Sequence, residues 1–118
     1  MAKLTGGHLF IRCLKQEGIK KIFTIVGDTI LPLVDAAADE GIEFIDTRHE
    51  GAAMHMADGY ARATGRPGVC MAQVVGALNL AAGLRDAHLA HSPVIALTGG
   101  RDPHTKFRGV YQEVDDVP

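Results

Sequence analysis

Four short apolar runs recur along this chain, and a segment with helical spacing separates each run from the next. The runs cover residues 22–26, 42–45, 69–75 and 94–97. They are continuously apolar instead of alternating, which is typical of strands buried on both faces of a parallel sheet. Single helices between strands are the pattern of βαβ units. We therefore predict an α/β fold with three α/β/α layers, in which helices cover both faces of a parallel sheet.

The segment before the first run and the three segments between runs predict four helices, over residues 5–17, from about residue 29 to 40, over 49–64 and over 77–88. The hydroxyl of Thr29 can cap the second helix, and Gly41 and Gly65 stand where the second and third helices should end. Helical periodicity also selects the residues that should face the sheet. These are Phe10, Cys13 and Leu14; Leu31, Val34 and Ala38; Ala53, Met56, Ala57, Tyr60 and Ala61; and Leu80, Leu84 and Ala87.

Composition excludes several classes of protein. The 118 residues fit one domain, and a net charge of −2 without a basic block argues against a nucleic-acid partner. No apolar run approaches the ~20 residues that a membrane-spanning helix needs, so no membrane partner is expected. Cys13 and Cys70 both lie in apolar stretches and are expected to be buried free thiols. Free thiols favour a cytoplasmic location.

Ligands of open parallel sheets bind beyond the carboxyl ends of the strands, where residues 26–29, 46–51 and 74–79 should lie. Gly27 and Gly76 would allow close backbone approach there. Glu50 begins a helix in this region, and two interpretations of it stay open. It is either a first-turn glutamate stabilised by the helix dipole by ~0.3–1 kcal/mol, or a carboxyl positioned for proton exchange with a bound heterocycle.

No metal site is predicted. His49 and Glu50 are followed by His55, which is not the spacing of a zinc protease, and His88 and His91 lack a third ligand. The glycines form neither a Walker loop nor a G-x-G-x-x-G turn after a strand, and no G-x-S-x-G elbow is present. The sequence therefore gives no support for these common nucleotide-binding and hydrolase sites.

The block RHEGAAMHMADGYARATGRPGV at residues 48–69 is the most specific motif, and SPVIALTG at 92–99 and YQEVD at 111–115 follow it. In order and spacing, nearly the whole chain resembles the N-terminal, pyrimidine-binding domain of thiamine diphosphate enzymes of the acetolactate synthase type. That group includes benzaldehyde lyase, 2-hydroxyacyl-CoA lyase and the 2-oxoacid decarboxylases. The resemblance implies that residues 1–118 form one such domain, incomplete at its C-terminus. The family's remaining strands, middle domain and diphosphate-binding domain would lie outside it.

The resemblance also implies roles for individual residues. Glu50 matches the glutamate that contacts N1′ of the cofactor's aminopyrimidine ring and activates the cofactor. Gly27, Gly76 and Asn79 match positions that line the cofactor, with the segment from Gly76 to Asn79 in a loop near the pyrimidine. On the substrate side the matching residues are Asp28, Thr29 and Gln112.

Cofactor and partners are expected on the same basis. Thiamine diphosphate would be the cofactor, and Mg²⁺ would be bound by a domain that this chain does not contain. The expected partners are a diphosphate-binding domain of the same or another chain, a further copy in a homo-oligomer, and a small 2-oxoacid or aldehyde substrate.

The sequence QVVG at 73–76 departs from the Ser-Gly-Pro-Gly of acetolactate synthase relatives, and a lone His104 argues against pyruvate decarboxylases. A non-catalytic binding or oligomerisation module with this fold is the alternative.

Overall fold

The computed structural model describes residues 4–100 and 102–113, and its regular elements alternate as the apolar runs predict. The helices are α1 (Gly6–Gln16), α2 (Leu31–Glu40), α3 (Glu50–Thr64) and α4 (Val74–Leu89). The strands are β1 (Lys21–Thr24), β2 (Glu43–Asp46), β3 (Gly68–Ala72) and β4 (Val94–Thr98), and short 3₁₀ turns cover Asp28–Ile30 and Pro103–Thr105. All strand pairs are parallel, in the order β2-β1-β3-β4. The three-layer α/β/α prediction is confirmed.

Neighbouring residues on each central strand point into two different cores. Ile22 and Met71 pack with residues of α1 and α2, including Ile11 and Ala37. Phe23 and Cys70 pack with residues of α3 and α4, including Met54 and Leu80. Each fully buried Ile, Leu or Met side chain contributes roughly 1.5–3 kcal/mol. The sheet therefore holds both helical layers in fixed positions, which matters because α3 and α4 carry most of the candidate site.

Small residues let α3 approach β3 very closely. Ala53, Ala57 and Ala61 are spaced four apart and buried, and a Cβ at Gly68 would collide with the backbone carbonyl of Ala57. The helix ends at Gly65, whose φ of 65° lies in the left-handed region that glycine tolerates. The close packing of α3 against β3 fixes the direction of the helix axis and therefore the position of Glu50 at the start of the helix.

Some predicted boundaries and faces were wrong. The third strand ends at Ala72, not at residue 75, because the Gln73 carbonyl already accepts the first hydrogen bond of α4 from Ala77 N. Thr29 lies inside the 3₁₀ turn instead of capping α2. Within α1 and α2, Ile11, Leu14, Ala36 and Ala37 supply the buried face. Six residues predicted to face inward are exposed: Phe10, Cys13, Leu31, Ala38, Met56 and Leu84.

The two ends of the sheet are edge strands within the described part of the chain. β2 pairs only with β1 there, and β4 pairs only with β3. Residues 111–118, whose sequence could begin a further helix, lie largely outside the described residues. Across residues 4–100 and 102–113, no helix has both the length and the apolar character needed to cross a bilayer.

Candidate active site

Glu50 is the first residue of α3, and the helix start fixes its position. The preceding residue, His49, is the N-cap, and its ring Nδ1 accepts a hydrogen bond of 3.0 Å from Gly51 N. Glu50 itself is half-buried. Asn79, one and a half turns into α4, donates from Nδ2 to Glu50 Oε2 at 2.9 Å. The carboxylate is thus held by two helices that pack against each other, as both interpretations of Glu50 allow.

Gly76 leaves room for that carboxylate. It is buried in the first turn of α4, and a Cβ built on it would lie 2.5 Å from Glu50 Oε1. Any side chain at this position would therefore push the carboxylate away from α4 or displace the helix. Glu50, Gly76 and Asn79 form one cluster, which we call the carboxylate cluster. The loop that the resemblance implied for the segment from Gly76 to Asn79 is wrong, since both residues belong to α4, whereas the helix predicted over residues 77–88 already included Asn79.

A second cluster of polar residues lies at the start of α4. Gln73 is the N-cap of α4 but makes no capping hydrogen bond through its side chain. Its Nε2 instead donates to Oε1 of Gln112. A Cβ at Gly27 would collide with the Gln73 amide, so the loop after β1 lies directly against it. We call Gly27, Gln73 and Gln112 the amide cluster.

Thr29 borders the amide cluster through Gly99. A Cβ at Gly99 would collide with Thr29 Oγ1 and would lie 3.4 Å from Gln73 Cα. Thr29 Oγ1 and Gln73 Oε1 are both buried without a hydrogen-bond partner in the described part of the molecule. Buried polar atoms are usually paired, and each exception calls for an explanation, of which a bound molecule is one. The carboxyl ends of β1, β3 and β4 therefore meet around polar atoms that the described chain leaves unsatisfied.

The predicted site residues are thus brought together in two neighbouring groups. Glu50, Gly76 and Asn79 form one of them, and Gly27 and Gln112 belong to the other, with Thr29 at its border. Asp28 is exposed, and no hydrogen bond or ion pair joins it to either cluster among the described residues.

Gln73 is the site residue that sequence reasoning missed. It follows a buried strand and precedes two valines, so it reads as an interior strand position. Its place in the short segment between β3 and α4, at the carboxyl end of a strand, was the available signal.

The other buried ionisable groups serve the fold. Burial raises the pKa of the Cys70 thiol to about 11, so this group stays protonated and is no nucleophile at neutral pH. The hydrogen-bonded guanidinium of Arg62 lowers the pKa of Asp58, which it meets at 2.7 Å one helical turn away. Neither group contacts the two clusters.

No set of three or more His, Cys, Asp or Glu side chains that could hold a metal ion occurs within residues 4–100 and 102–113. A cavity of about 330 Å³ lies at the opposite end of β1, lined by residues 16–21 with Tyr60, Arg66 and Pro67. It opens at the amino end of the strand, away from the predicted site.

The carboxylate cluster fits the pyrimidine ring of thiamine diphosphate. Asn79 donates a hydrogen bond to Glu50 Oε2, and no described residue donates one to Oε1, which lies against Gly76 in the room left by the missing Cβ. One carboxylate oxygen is thus anchored, while the other can meet a ring nitrogen. Neither cluster carries a cationic side chain that would suit the diphosphate.

These features define an α/β domain with a candidate ligand site at the carboxyl ends of parallel strands. Residues 4–118 match the family model described as thiamine pyrophosphate enzyme, N-terminal TPP binding domain. The chain belongs to this family, as the resemblance of the 48–69 block predicted.

Individual relatives agree with the family. The chain is 43% identical to a probable acetolactate synthase large subunit of Methanocaldococcus jannaschii and 41% identical to the acetolactate synthase isozyme 2 large subunit of Escherichia coli, in each case over 95% of its length. It is 34% identical over 98% of its length to a sulfoacetaldehyde acetyltransferase of Roseovarius nubinhibens. The chain spans about a fifth of these relatives, 19% of the first, 21% of the second and 19% of the third.

Proposed function

We propose that this chain supplies the pyrimidine-binding site of a thiamine diphosphate-dependent enzyme that makes or breaks a C–C bond next to a carbonyl group. A carboligase or decarboxylase acting on a 2-oxoacid, similar to acetolactate synthase, is the proposed activity of the whole protein. The similarity to acetolactate synthase large subunits over almost the full chain supports this choice.

The anchoring of Glu50 Oε2 by Asn79, with Oε1 left without a hydrogen-bond donor among the described residues, is the observation that carries the proposal. The bound cofactor supplies the electron sink that this chemistry needs. The chain's part is to hold a proton contact at the ring. Glu50 meets the aminopyrimidine through Oε1, Asn79 keeps the carboxylate in one orientation, and Gly76 leaves the room that the carboxylate needs beside α4.

We further propose that Thr29 and Gln112 face the substrate, with Gly27 beside the cofactor and the exposed Asp28 at the rim. The unpaired Thr29 hydroxyl supports this assignment, because a donor or acceptor of a bound molecule can satisfy it.

A diphosphate-binding domain, from the same or another chain, is the proposed partner, and the outer face of α4 is its proposed contact. Leu78 and Leu89 are each 63% exposed, and Val75 lies on the same side of the helix. Val75 is next to Gly76, so a domain seated on this face would also border the carboxylate cluster. Such a domain would provide the Mg²⁺ and diphosphate contacts in a homo-oligomer.

We also propose a cytoplasmic location, because Cys13 and Cys70 are free thiols.

Replacement of Glu50 by Gln in the complete enzyme that contains this segment tests the proposal. The change is nearly isosteric and should leave the fold intact. Hydrogen–deuterium exchange at the thiazolium C2 of bound cofactor should slow by roughly 10²–10⁴-fold, the range typical of a proton-transfer group. Glu17→Gln, at an exposed residue near the opposite end of the sheet, is the matched control. An exchange rate equal to that of the control would remove the role assigned to Glu50.

The alternative is a non-catalytic binding or oligomerisation module. It requires that the complete protein lack a diphosphate-binding domain and that none be supplied by another chain. Sequencing the reading frame on both sides of this segment, and its neighbours, distinguishes the two. A Gly-Asp-Gly motif followed some thirty residues later by Asn would support the enzyme.

A further inference from the structure

Gln73 contacts three segments that approach the same point of the site. It stands between β3 and α4, its amide lies against Gly27 after β1, and its Cα lies 3.4 Å from where a Cβ of Gly99 would be, after β4. Gln112 reaches it from the segment that follows the second 3₁₀ turn. Gln73 thus packs where the carboxyl ends of β1, β3 and β4 meet. Its side chain makes no capping hydrogen bond to α4, although Gln73 is the N-cap of that helix.

The hydrogen bond between the two glutamines leaves one polar atom of Gln73 unpaired. Gln73 Nε2 donates to Gln112 Oε1, and Gln112 Nε2 donates to the Tyr111 hydroxyl at 3.1 Å. Gln73 Oε1 is then buried against Gly27 without a donor. Reversing both amides would keep the hydrogen bond between them but would place Gln73 Nε2 unpaired at the same spot. An unpaired buried atom therefore accompanies this contact in either orientation.

A buried, unpaired polar atom disfavours Gln73 on stability grounds. A side chain of the same length without polar atoms would fill the space without that penalty. What Gln73 supplies that such a side chain cannot is the hydrogen bond that orients Gln112. Gln112 needs this support because its own backbone φ is 58°, in the left-handed region that residues other than glycine rarely adopt.

We propose that Gln73 is a positioning residue that sets the substrate preference of the enzyme by holding the amide of Gln112 in one orientation. The inference rests on the proposed function, because it takes the substrate to be a 2-oxoacid beside Gln112. It assigns Gln73 no contact with the pyrimidine ring, since no hydrogen bond joins Gln73 to the carboxylate cluster among the described residues.

The test uses the complete enzyme with Gln73→Met, Gln112→Met and the double variant. Gln16→Met, an exposed glutamine at the end of α1, is the matched control. The ratio of kcat/KM for pyruvate to that for benzoylformate, a small and a bulky 2-oxoacid, should change about tenfold or more in Gln73→Met. The ratio should change in the same direction in Gln112→Met. In the double variant, the change in this ratio should be no larger than in the single variants. Additive changes, or a ratio equal to that of the control, would overturn the proposal.

Two further readouts separate this inference from the proposed function. C2 hydrogen–deuterium exchange without substrate should stay within about threefold of wild type in Gln73→Met, whereas Glu50→Gln slows it. Exchange slowed as much as in Glu50→Gln would mean that Gln73 acts on the cofactor and would overturn its role. In the enzyme without cofactor, the change in Tm caused by Gln112→Met should shrink in the Gln73→Met background. If Gln112→Met changes Tm by the same amount in both backgrounds, the two amides are not coupled and the inference is wrong. This conclusion does not depend on the result for Glu50→Gln.

Discussion

Asn79 Nδ2 donates a hydrogen bond of 2.9 Å to Glu50 Oε2 and so joins the first turn of α3 to α4. The donor comes from a helix that begins directly after β3, and the acceptor begins the helix that precedes β3. The two helices on this face of the sheet thereby fix the rotamer of one carboxylate. Both interpretations of Glu50 allow this contact, and the role proposed for Glu50 uses it to hold one carboxylate oxygen while the other is left without a donor among the described residues.

Asn79→Leu in the complete enzyme should slow C2 hydrogen–deuterium exchange by about 10–100-fold, less than Glu50→Gln. A hydrogen bond to a charged group contributes roughly 1.5–3 kcal/mol, and its loss lets the carboxylate leave the reactive orientation. The exchange rate is measured by proton NMR after acid quench. Ala81→Leu, at an exposed position of the same helix, controls for the added apolar side chain. If C2 hydrogen–deuterium exchange is equally fast in Asn79→Leu and Ala81→Leu, Asn79 does not orient Glu50.

Thr29→Ala should alter the choice between substrates more than it alters cofactor activation. The hydroxyl is buried and unpaired beside Gly99, away from the carboxylate cluster. Competition between two 2-oxoacids should show a change in relative kcat/KM of at least about threefold, with C2 exchange near that of the wild type. Equal losses for both substrates together with slow exchange would place Thr29 with the cofactor instead.

Gly68→Ala and Gly59→Ala should change stability in opposite directions. A Cβ at Gly68 collides with the Ala57 carbonyl, so α3 must move from the sheet, and overpacking of this kind costs about 1–3 kcal/mol. Gly59 is an exposed position in α3 where an added Cβ would meet no atom within 4 Å, so alanine should stabilise the helix by about 0.5–1 kcal/mol. Urea unfolding of both variants measures the difference. Similar destabilisation of both would contradict the close contact between α3 and β3.

Leu78→Asp in the complete enzyme should weaken assembly by more than about tenfold. The side chain is 63% exposed on this chain, and burying a leucine contributes roughly 1.5–3 kcal/mol at an interface. Analytical ultracentrifugation over a dilution series gives the dissociation constant. Leu9→Asp makes the same change at a leucine that is 57% exposed on α1, on the other face of the sheet. Equal effects of the two substitutions would show that the α4 face is not the contact.

The layer order was predictable from sequence because continuous apolar runs and glycine stops are local signals, and Glu50, Gly76 and Asn79 were identified through the 48–69 block and its neighbours. The helix faces were harder. α4 carries apolar residues around much of its circumference, so periodicity alone could not tell buried Leu80 from exposed Leu84. Gln73 was missed because Val74 and Val75 extend the apolar run of β3, whereas the hydrogen bonding of α4 already begins at the Gln73 carbonyl.

The 118-residue chain alone should bind thiamine diphosphate weakly or not at all. The diphosphate carries most of the cofactor's charge, and Mg²⁺ bound to it needs oxygen ligands at defined positions. The described residues show no cluster of metal ligands, and the carboxylate cluster offers contacts only for the pyrimidine ring. Calorimetric titration of the chain with the cofactor, with and without Mg²⁺, checks this. Titration of the complete enzyme is the positive control. Micromolar binding by the 118 residues that disappears when Mg²⁺ is removed would show that this chain holds a diphosphate site of its own, and the proposed division of the site between two domains would be wrong.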